Sequence, residues 1–174
     1  MDTISKFNIK LRLVEESDAE FIVDIRTDSS KSKFISFTNS NIEEQKKWIR
    51  EYKNREKAEE EFYYIAIDEN DEKFATYRLY NKNNNSIEVG SFVSKPFYKI
   101  ALNVIKVDVI LKTYVFEVLG YNSLNFEVRK NNKSVIIYHN KFKPQLTKED
   151  DLNYYFKLEK DSFFANKNKF EKLF

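Results

Sequence analysis

In Glu88-Val89-Gly90-Ser91-Phe92-Val93-Ser94-Lys95-Pro96-Phe97-Tyr98-Lys99-Ile100-Ala101 an apolar strand passes through a short loop and straight into a helix. The strand is read over Ser86 to Val93 and the helix over about Leu102 to Leu119, stopping at Gly120 as a C′ residue. Two strand-like segments precede it, Phe62 to Asp68 and Lys73 to Tyr80. Asn70-Asp71 and Asn83-Asn84-Asn85 supply hairpin turns, so the three strands form an antiparallel meander.

Working outward, Asn8 to Val14 alternates apolar and polar residues as a half-buried strand does. Ser17 and Glu20 read as a capping box opening a helix with Phe21, Ile22 and Ile25 on one face. Asp28 to Lys33 is a loop by composition. A second helix spans about Ile42 to Lys57, with Trp48, Ile49 and Tyr52 inward and its charges on a solvated face. Downstream lie a strand (Ser123 to Val128), a helix (Asn132 to Lys141), a strand (Tyr154 to Leu158) and a short closing helix from Asn166. The order is β-α-α-β-β-β-α-β-α-β, without repeat or linker, which predicts one domain over residues 1–174.

Composition narrows the chemistry. Thirty basic against 28 acidic residues leave +2, too balanced for a dedicated nucleic-acid binder. The absence of Cys rules out disulfides and thiolate nucleophiles, and a single His rules out a His-rich metal site, so no metal is expected. Charges interrupt the longest apolar region, Ile100 to Leu119, which excludes a membrane span, and no signal peptide is visible; a cytoplasmic protein is expected. The aromatic tail (Phe163, Phe164, Phe170, Phe174) caps the core or mediates a homodimer.

The element order, with a long helix directly after a three-strand meander, resembles the GNAT acetyltransferase fold, an α/β (α+β) domain with a central, mostly antiparallel mixed sheet flanked by helices. Leu11-Arg12-Leu13-Val14 with Glu16-Ser17-Asp18-Ala19 resembles the family's opening strand and first helix cap. Glu88-Val89-Gly90 is similar to the E-[IV]-G of the branch that acetylates ribosomal-protein N-termini. Asn132 with Val135, Tyr138-His139 and Phe142 is similar to the family's N-x-x-[ASV]-x-x-x-Y segment. Arg26-Thr27-Asp28, Gln45 to Ile49, Arg78-Leu79-Tyr80 and Glu88 to Phe92 resemble a subgroup of surface-polysaccharide loci that acylates nucleotide-linked amino sugars. One departure is plain: the family's coenzyme A loop, [QR]-x-x-G-x-[GA], is replaced by Ser94 to Ala101, which has no Gly.

The resemblance implies a co-substrate, acetyl-CoA or another short acyl-CoA, and site residues to go with it. Thioester-to-amine transfer needs a proton acceptor for the amine, donors for the oxyanion and a donor near the departing thiolate. Glu88 is the candidate base, directly or through water, in a setting its neighbours make mostly apolar; otherwise it is an exposed strand carboxylate. His139 is the candidate donor to the thiolate because histidine titrates near neutral pH, with Tyr138 the alternative at a one-residue shift. Asn132 reads as a pantetheine contact or simply as a helix N-cap. The pantetheine surface is the backbone of Phe92, Val93 and Ser94. The pyrophosphate falls to Lys95, Tyr98, Lys99, Ile100 and Ala101 at the long helix's N-terminus. For the acceptor, Arg26 and Arg78 suit a diphosphate, and Phe34 and Tyr80 suit stacking; Arg78 in a surface ion pair is the plain alternative.

The reading is thus an N-acyltransferase for a nucleotide-linked amino sugar in surface-glycan (lipopolysaccharide) synthesis. The alternatives are a protein N-terminal acetyltransferase and a degenerate, non-catalytic binding domain. The sequence offers no reason to expect nucleic-acid or membrane partners.

Overall fold

The computed structural model describes residues 3–174. Its strands are β1 (Ile4–Lys6), β2 (Ile9–Leu13), β3 (Phe62–Ile67), β4 (Lys73–Tyr80), β5 (Ser86–Ser94), β6 (Ser123–Arg129), β7 (Gln145–Glu149) and β8 (Asn153–Glu159). Its helices are α1 (Ala19–Thr27), α2 (Ser29–Ser32), α3 (Ile42–Lys57), α4 (Ala101–Glu117), α5 (Lys133–Asn140) and α6 (Lys160–Glu171). One sheet runs β1-β2-β3-β4-β5-β6-β8-β7, and every neighbouring pair is antiparallel except β5 and β6.

The meander and the helix that follows it lie where the sequence put them. α3 begins at Ile42 because the Asn41 side chain accepts from the Glu43 and Glu44 amides, and its Ile49 and Tyr52 are fully buried. The Tyr52 hydroxyl accepts from the Tyr63 N–H at 2.7 Å, pinning α3 to β3. One face of the sheet packs on α1 and α3 through Val14, Ile22, Ile49, Tyr63 and Ile65. The other face packs on α4 and α6 through Leu11, Tyr64, Leu79, Val109, Phe116 and Phe163. Phe163 and Phe170 are buried there and Phe174 stacks edge-on against Phe7, so the aromatic tail caps the core.

Several elements differ from the sequence reading. β1 and β2 form a tight hairpin because Phe7 and Asn8 both take left-handed φ values, 54° and 62°, as a two-residue turn requires. The Ser17–Glu20 capping box does not form. Residues Glu16–Asp18 make a 3-10 turn, and the buried Asp18 carboxylate accepts from the Glu15 N–H at 2.8 Å. Asp28 to Lys33 is not all loop, since Asp28 caps the single turn of α2 by accepting from the Ser30 N–H. β7 is exposed along its whole length and leaves no apolar alternation to read. α6 starts at Lys160, six residues earlier than the closing helix expected from Asn166. α4 ends at Glu117, and Gly120 supplies the left-handed turn (φ 77°) beyond it.

The feature that makes a site is the β5–β6 pair. The two strands bond in parallel only at Ser86, Ile87 and Glu88, opposite Ser123, Leu124 and Asn125. Beyond Glu88 they diverge, and the sheet opens into a V. β5 bends at a bulge there: Ser91 and Phe92 together face Tyr77, with Ser91 left-handed at φ 50°. The Thr76 hydroxyl donates to the Ser91 carbonyl at 2.9 Å and holds the bulge in place.

Candidate active site

The V connects three clefts. On the α1/α3 side, a cleft of about 340 Å³ is walled by Arg26, Thr38, Trp48, Arg78 and Ser91. A cleft of about 200 Å³ lies within the V, between Gly90 and Phe92 of β5, Phe126 and Val128 of β6, and His139. On the α4 side, one of about 420 Å³ is walled by Phe92, Ser94, Tyr98, Ala101, Val104, Tyr138 and His139. Arg26 and Ser91 belong to the first and second, Phe92 and His139 to the second and third. The path therefore crosses the sheet.

On the α1/α3 side, Arg78 lies between the Trp48 and Tyr80 rings, 5.2 and 4.8 Å from their centroids. It pairs with Glu61, which also pairs with Arg55, while the buried Arg78 Nε has no hydrogen-bond partner. Arg26 Nε donates to Thr38 Oγ1 at 2.7 Å. Phe34, half-buried, lines the middle cleft. All four expected acceptor residues, Arg26, Phe34, Arg78 and Tyr80, border the connected clefts, and Arg78 is both ion-paired and exposed to the cleft.

Gly90 is explained by Tyr80. A Cβ there would sit 2.5 Å from the Tyr80 hydroxyl oxygen. That hydroxyl donates to Glu88 Oε1 at 2.8 Å, and Asn81 Nδ2 donates to Oε2 at 2.9 Å. Burial and the Glu88 carboxylate push the Tyr80 phenol well up, so it stays a donor. Glu88 therefore has polar partners rather than the apolar setting expected of it, because its side chain turns over β4 instead of into the core. Glu88 itself lines none of these clefts; its partner Tyr80, with Gly90 and Ser91, lines the middle one.

Of the residues expected to hold coenzyme A, Phe92, Ser94, Lys95, Tyr98 and Ala101 line the α4-side cleft. Val93 and Asn132 line an adjoining one of about 240 Å³. Lys99 and Ile100 are exposed on the loop and border none of these clefts. Lys95 Nζ is paired with Glu72 at 2.6 Å. Tyr98 stacks on Phe74, donates to Asp68 Oδ2 (2.7 Å) and accepts from Asn103 Nδ2 (2.9 Å), which anchors the glycine-free loop. Its phenol is pushed up to about 12, chiefly by burial. No side chain caps α4; Asn132 does hold the N-cap position of α5, but its side chain makes no capping bond there, accepting instead from Ser134 Oγ at 3.4 Å, and the residue borders the cleft.

Behind the V lies a cluster the sequence reading did not assemble. Asp108 accepts from Tyr77 and Tyr138 hydroxyls, both at 2.7 Å, and from Lys112 Nζ at 2.8 Å. Lys112 Nζ also lies 3.2 Å from His139 Nδ1, with the Phe126 and Phe142 rings around it. Asp108 and Lys112 are fully buried. Burial works against the Asp108 carboxylate, yet Lys112, the neighbouring His139 and the Tyr138 phenol hold it below the usual range, whereas burial pulls Lys112 down. Burial, then the Lys112 charge, lowers His139 to about 3. His139 is therefore neutral at pH 7 and not the near-neutral acid expected, because a second proton would sit in the core beside an ammonium. Burial and Asp108 raise the Tyr138 phenol, whose proton is committed to Asp108. A signal for this cluster was present: an i,i+4 Asp–Lys pair set among the apolar residues Val107, Val109, Ile110, Leu111, Val115 and Phe116.

Among the described residues no group of three or more His, Asp or Glu is placed to hold a metal ion, and no helix is long and apolar enough to cross a membrane. Residues 8–142 match the family profile described as Acetyltransferase (GNAT) domain. Among solved structures, the chain is similar to apo FdhC, described as a nucleotide-linked sugar GNAT, at 34% identity over 98% of this chain and 97% of that one, with a TM-score of 0.86. It also shares its fold with the N-acetyltransferase PseH of Campylobacter jejuni (20% identity, 88% and 99% covered, TM-score 0.65). The same holds for the ribosomal-protein-S5-alanine acetyltransferase of Vibrio fischeri (13%, 94% and 99%, TM-score 0.75). No curated protein sequence gives a significant match.

Proposed function

The chain belongs to the acetyltransferase (GNAT) family and is an acyl-CoA-dependent N-acyltransferase, and from that premise we propose that it acylates the amino group of a nucleotide-linked amino sugar, with acetyl or another short acyl group. The observation that carries the reading is the 34% identity, along nearly the whole chain, with FdhC, which is described as a nucleotide-linked sugar GNAT. The clefts support it: the α1/α3-side cleft offers two arginines and an indole, a chemistry suited to a diphosphate and a stacked ring rather than to a peptide amine. We take residues 1–174 as one catalytic unit, working in the cytoplasm on a surface-glycan precursor.

In this reading the acyl-CoA enters on the α4 side. Its pantetheine runs along the edge of β5 that β6 leaves free after Glu88, adding main-chain bonds as an extra strand would. Its phosphates lie toward the first turn of α4. The sugar enters from the α1/α3 side, and its amine meets the thioester in the V beside Gly90 and Phe92. Backbone N–H groups at the bulge around Ser91 serve the oxyanion. Glu88 takes the amine's proton through water, since Tyr80 and Asn81 already occupy its oxygens.

The test is an acceptor panel with acetyl-CoA, read by mass spectrometry. Acylation of a nucleotide-linked amino sugar is expected, and acylation of peptide N-termini alone would overturn the proposal. Arg78→Ala should raise KM for the sugar nucleotide roughly tenfold to a hundredfold, the range for losing a charge-assisted contact. Unchanged kinetics would remove Arg78 from the acceptor site.

A further inference from the structure

Acyl transfer as described leaves a buried lysine without a task. Lys112 sits one helical turn from Asp108 on the face of α4 turned toward α5, and neither side chain touches solvent. An ordinary ion pair would be complete with Asp108 alone. Here the ammonium makes a second contact, to Nδ1 of the chain's one histidine.

An ammonium has three hydrogens and no lone pair, so at Nδ1 it can only donate. Asp108 keeps Lys112 in that form, with its own charge satisfied by two phenols as well as by the ammonium. Nδ1 then carries no hydrogen, and the ring's single proton must be on Nε2. Phe126 and Tyr138, with ring centroids 4.5 and 5.0 Å from that of His139, hold the ring plane. His139 is also a wall shared by the cleft within the V and the cleft on the α4 side, so it sits where donor and acceptor meet.

We infer that Lys112 and Asp108 are positioning residues that fix His139 as its neutral Nε2–H tautomer and aim that N–H at the sulfur of the bound acyl thioester. The inference rests on the acyl-CoA reading above. The amine nitrogen bonds to the thioester carbonyl carbon, the C–S bond breaks, and its electron pair goes to sulfur. His139 donates a hydrogen bond to the forming thiolate and keeps its proton. The amine's proton leaves through water to Glu88. Tyr138 is excluded as the donor because its hydroxyl is already given to Asp108. The groups facing the ring are Lys112 and Asp108 from α4, Tyr138 from α5 and Phe126 from β6.

Because the chain has a single histidine, long-range 1H–15N spectra of the ring are unambiguous. In the untagged wild-type protein between pH 6 and 8 they should show a neutral ring with its proton on Nε2. An Nδ1–H tautomer or an imidazolium overturns the inference without recourse to any variant. The charge-balanced double variant Asp108→Asn/Lys112→Met should mix the tautomers and lower kcat on the order of 100-fold, as losing one aligned donor does, with KM for acyl-CoA nearly unchanged. His139→Leu should match that loss, and adding the double change to it should cost little more in kcat. A folded double variant with wild-type tautomer and kcat overturns the positioning role. The expected tautomer in a protein that turns over no acyl-CoA would instead overturn the acyl-transfer reading, and with it the proposed role of the N–H.

Discussion

Among the described residues two aspartates are completely buried, Asp18 and Asp108, and they are satisfied in opposite ways. Asp18 accepts two bonds from Arg12 (2.7 and 2.8 Å), one from Lys73 (2.7 Å) and one from the Glu15 N–H (2.8 Å). Its two cations keep contact with water, their side chains being 25% and 36% exposed. Despite burial, those bonds hold Asp18 down to about 2. Asp108 has a single cation, Lys112, which is sealed in with it, and two phenols. The first arrangement staples β2, β4 and the entrance to α1 at modest cost, because its cations stay partly hydrated. The second withdraws both charges from water, a cost that a hydrophobic pair would avoid. That the costly version is the one against His139 and the clefts is the reason to look for function there.

The largest test of this contrast is Lys112→Met. It leaves Asp108 charged in the core with only two phenols, and breaking such a pair costs about 3–5 kcal/mol. Urea unfolding should report a loss of that size. A loss below about 1 kcal/mol would mean that the pair is not sealed, and the contrast with Asp18 would collapse.

Acid separates the two clusters by pH. His139 has a folded pKa of about 3 against its ordinary 6.5, so between those values the unfolded chain binds more protons than the folded one. Stability is whole above pH 6.5 and falls as pH drops toward 3, by up to roughly 1.4 kcal/mol per pH unit. Asp18 is depressed from 3.8 to about 2, so its contribution is present above 3.8 and is lost only as pH falls through 2. Equilibrium unfolding from pH 7 to 4 should therefore show a slope that His139→Leu removes and that Asp18→Asn leaves in place. A slope that survives His139→Leu would assign it elsewhere.

The sequence made the Asp18 region and the Asp108 region legible to different degrees. Ordered elements with strong periodicity, such as α3 and the β3–β4–β5 meander, were readable because burial dictates their residue types. The acid at Asp18 was taken for part of a cap sequence, since neither Arg12 nor Lys73 is near enough in sequence to announce the bonds. Glu88, Tyr80 and Gly90 could be named but not their geometry, because the ring lying over Gly90 depends on the register of β4 against β5. His139 could be named, yet its neutrality could not, since it follows from burial in the assembled fold and then from a lysine 27 residues away. β7 escaped because a strand exposed on both faces has no alternation to show.

The smallest expected effect is also the cleanest discriminator. Lys73→Met removes one of the two cations at Asp18, but the paired Arg12 contact remains and the lost ammonium was already in touch with water. Such a change costs about 1 kcal/mol or less. Because salt screens partly exposed charges, the Lys73 deficit should shrink further at about 1 M ionic strength, where the Debye length is only about 3 Å. The Lys112→Met deficit should persist there, since no counter-ion reaches a sealed site. Measuring both variants in low and high salt tests the distinction directly: two deficits that shrink together would make Asp108–Lys112 one more hydrated ion pair. It would also remove the physical reason for placing a neutral, oriented His139 at the thioester.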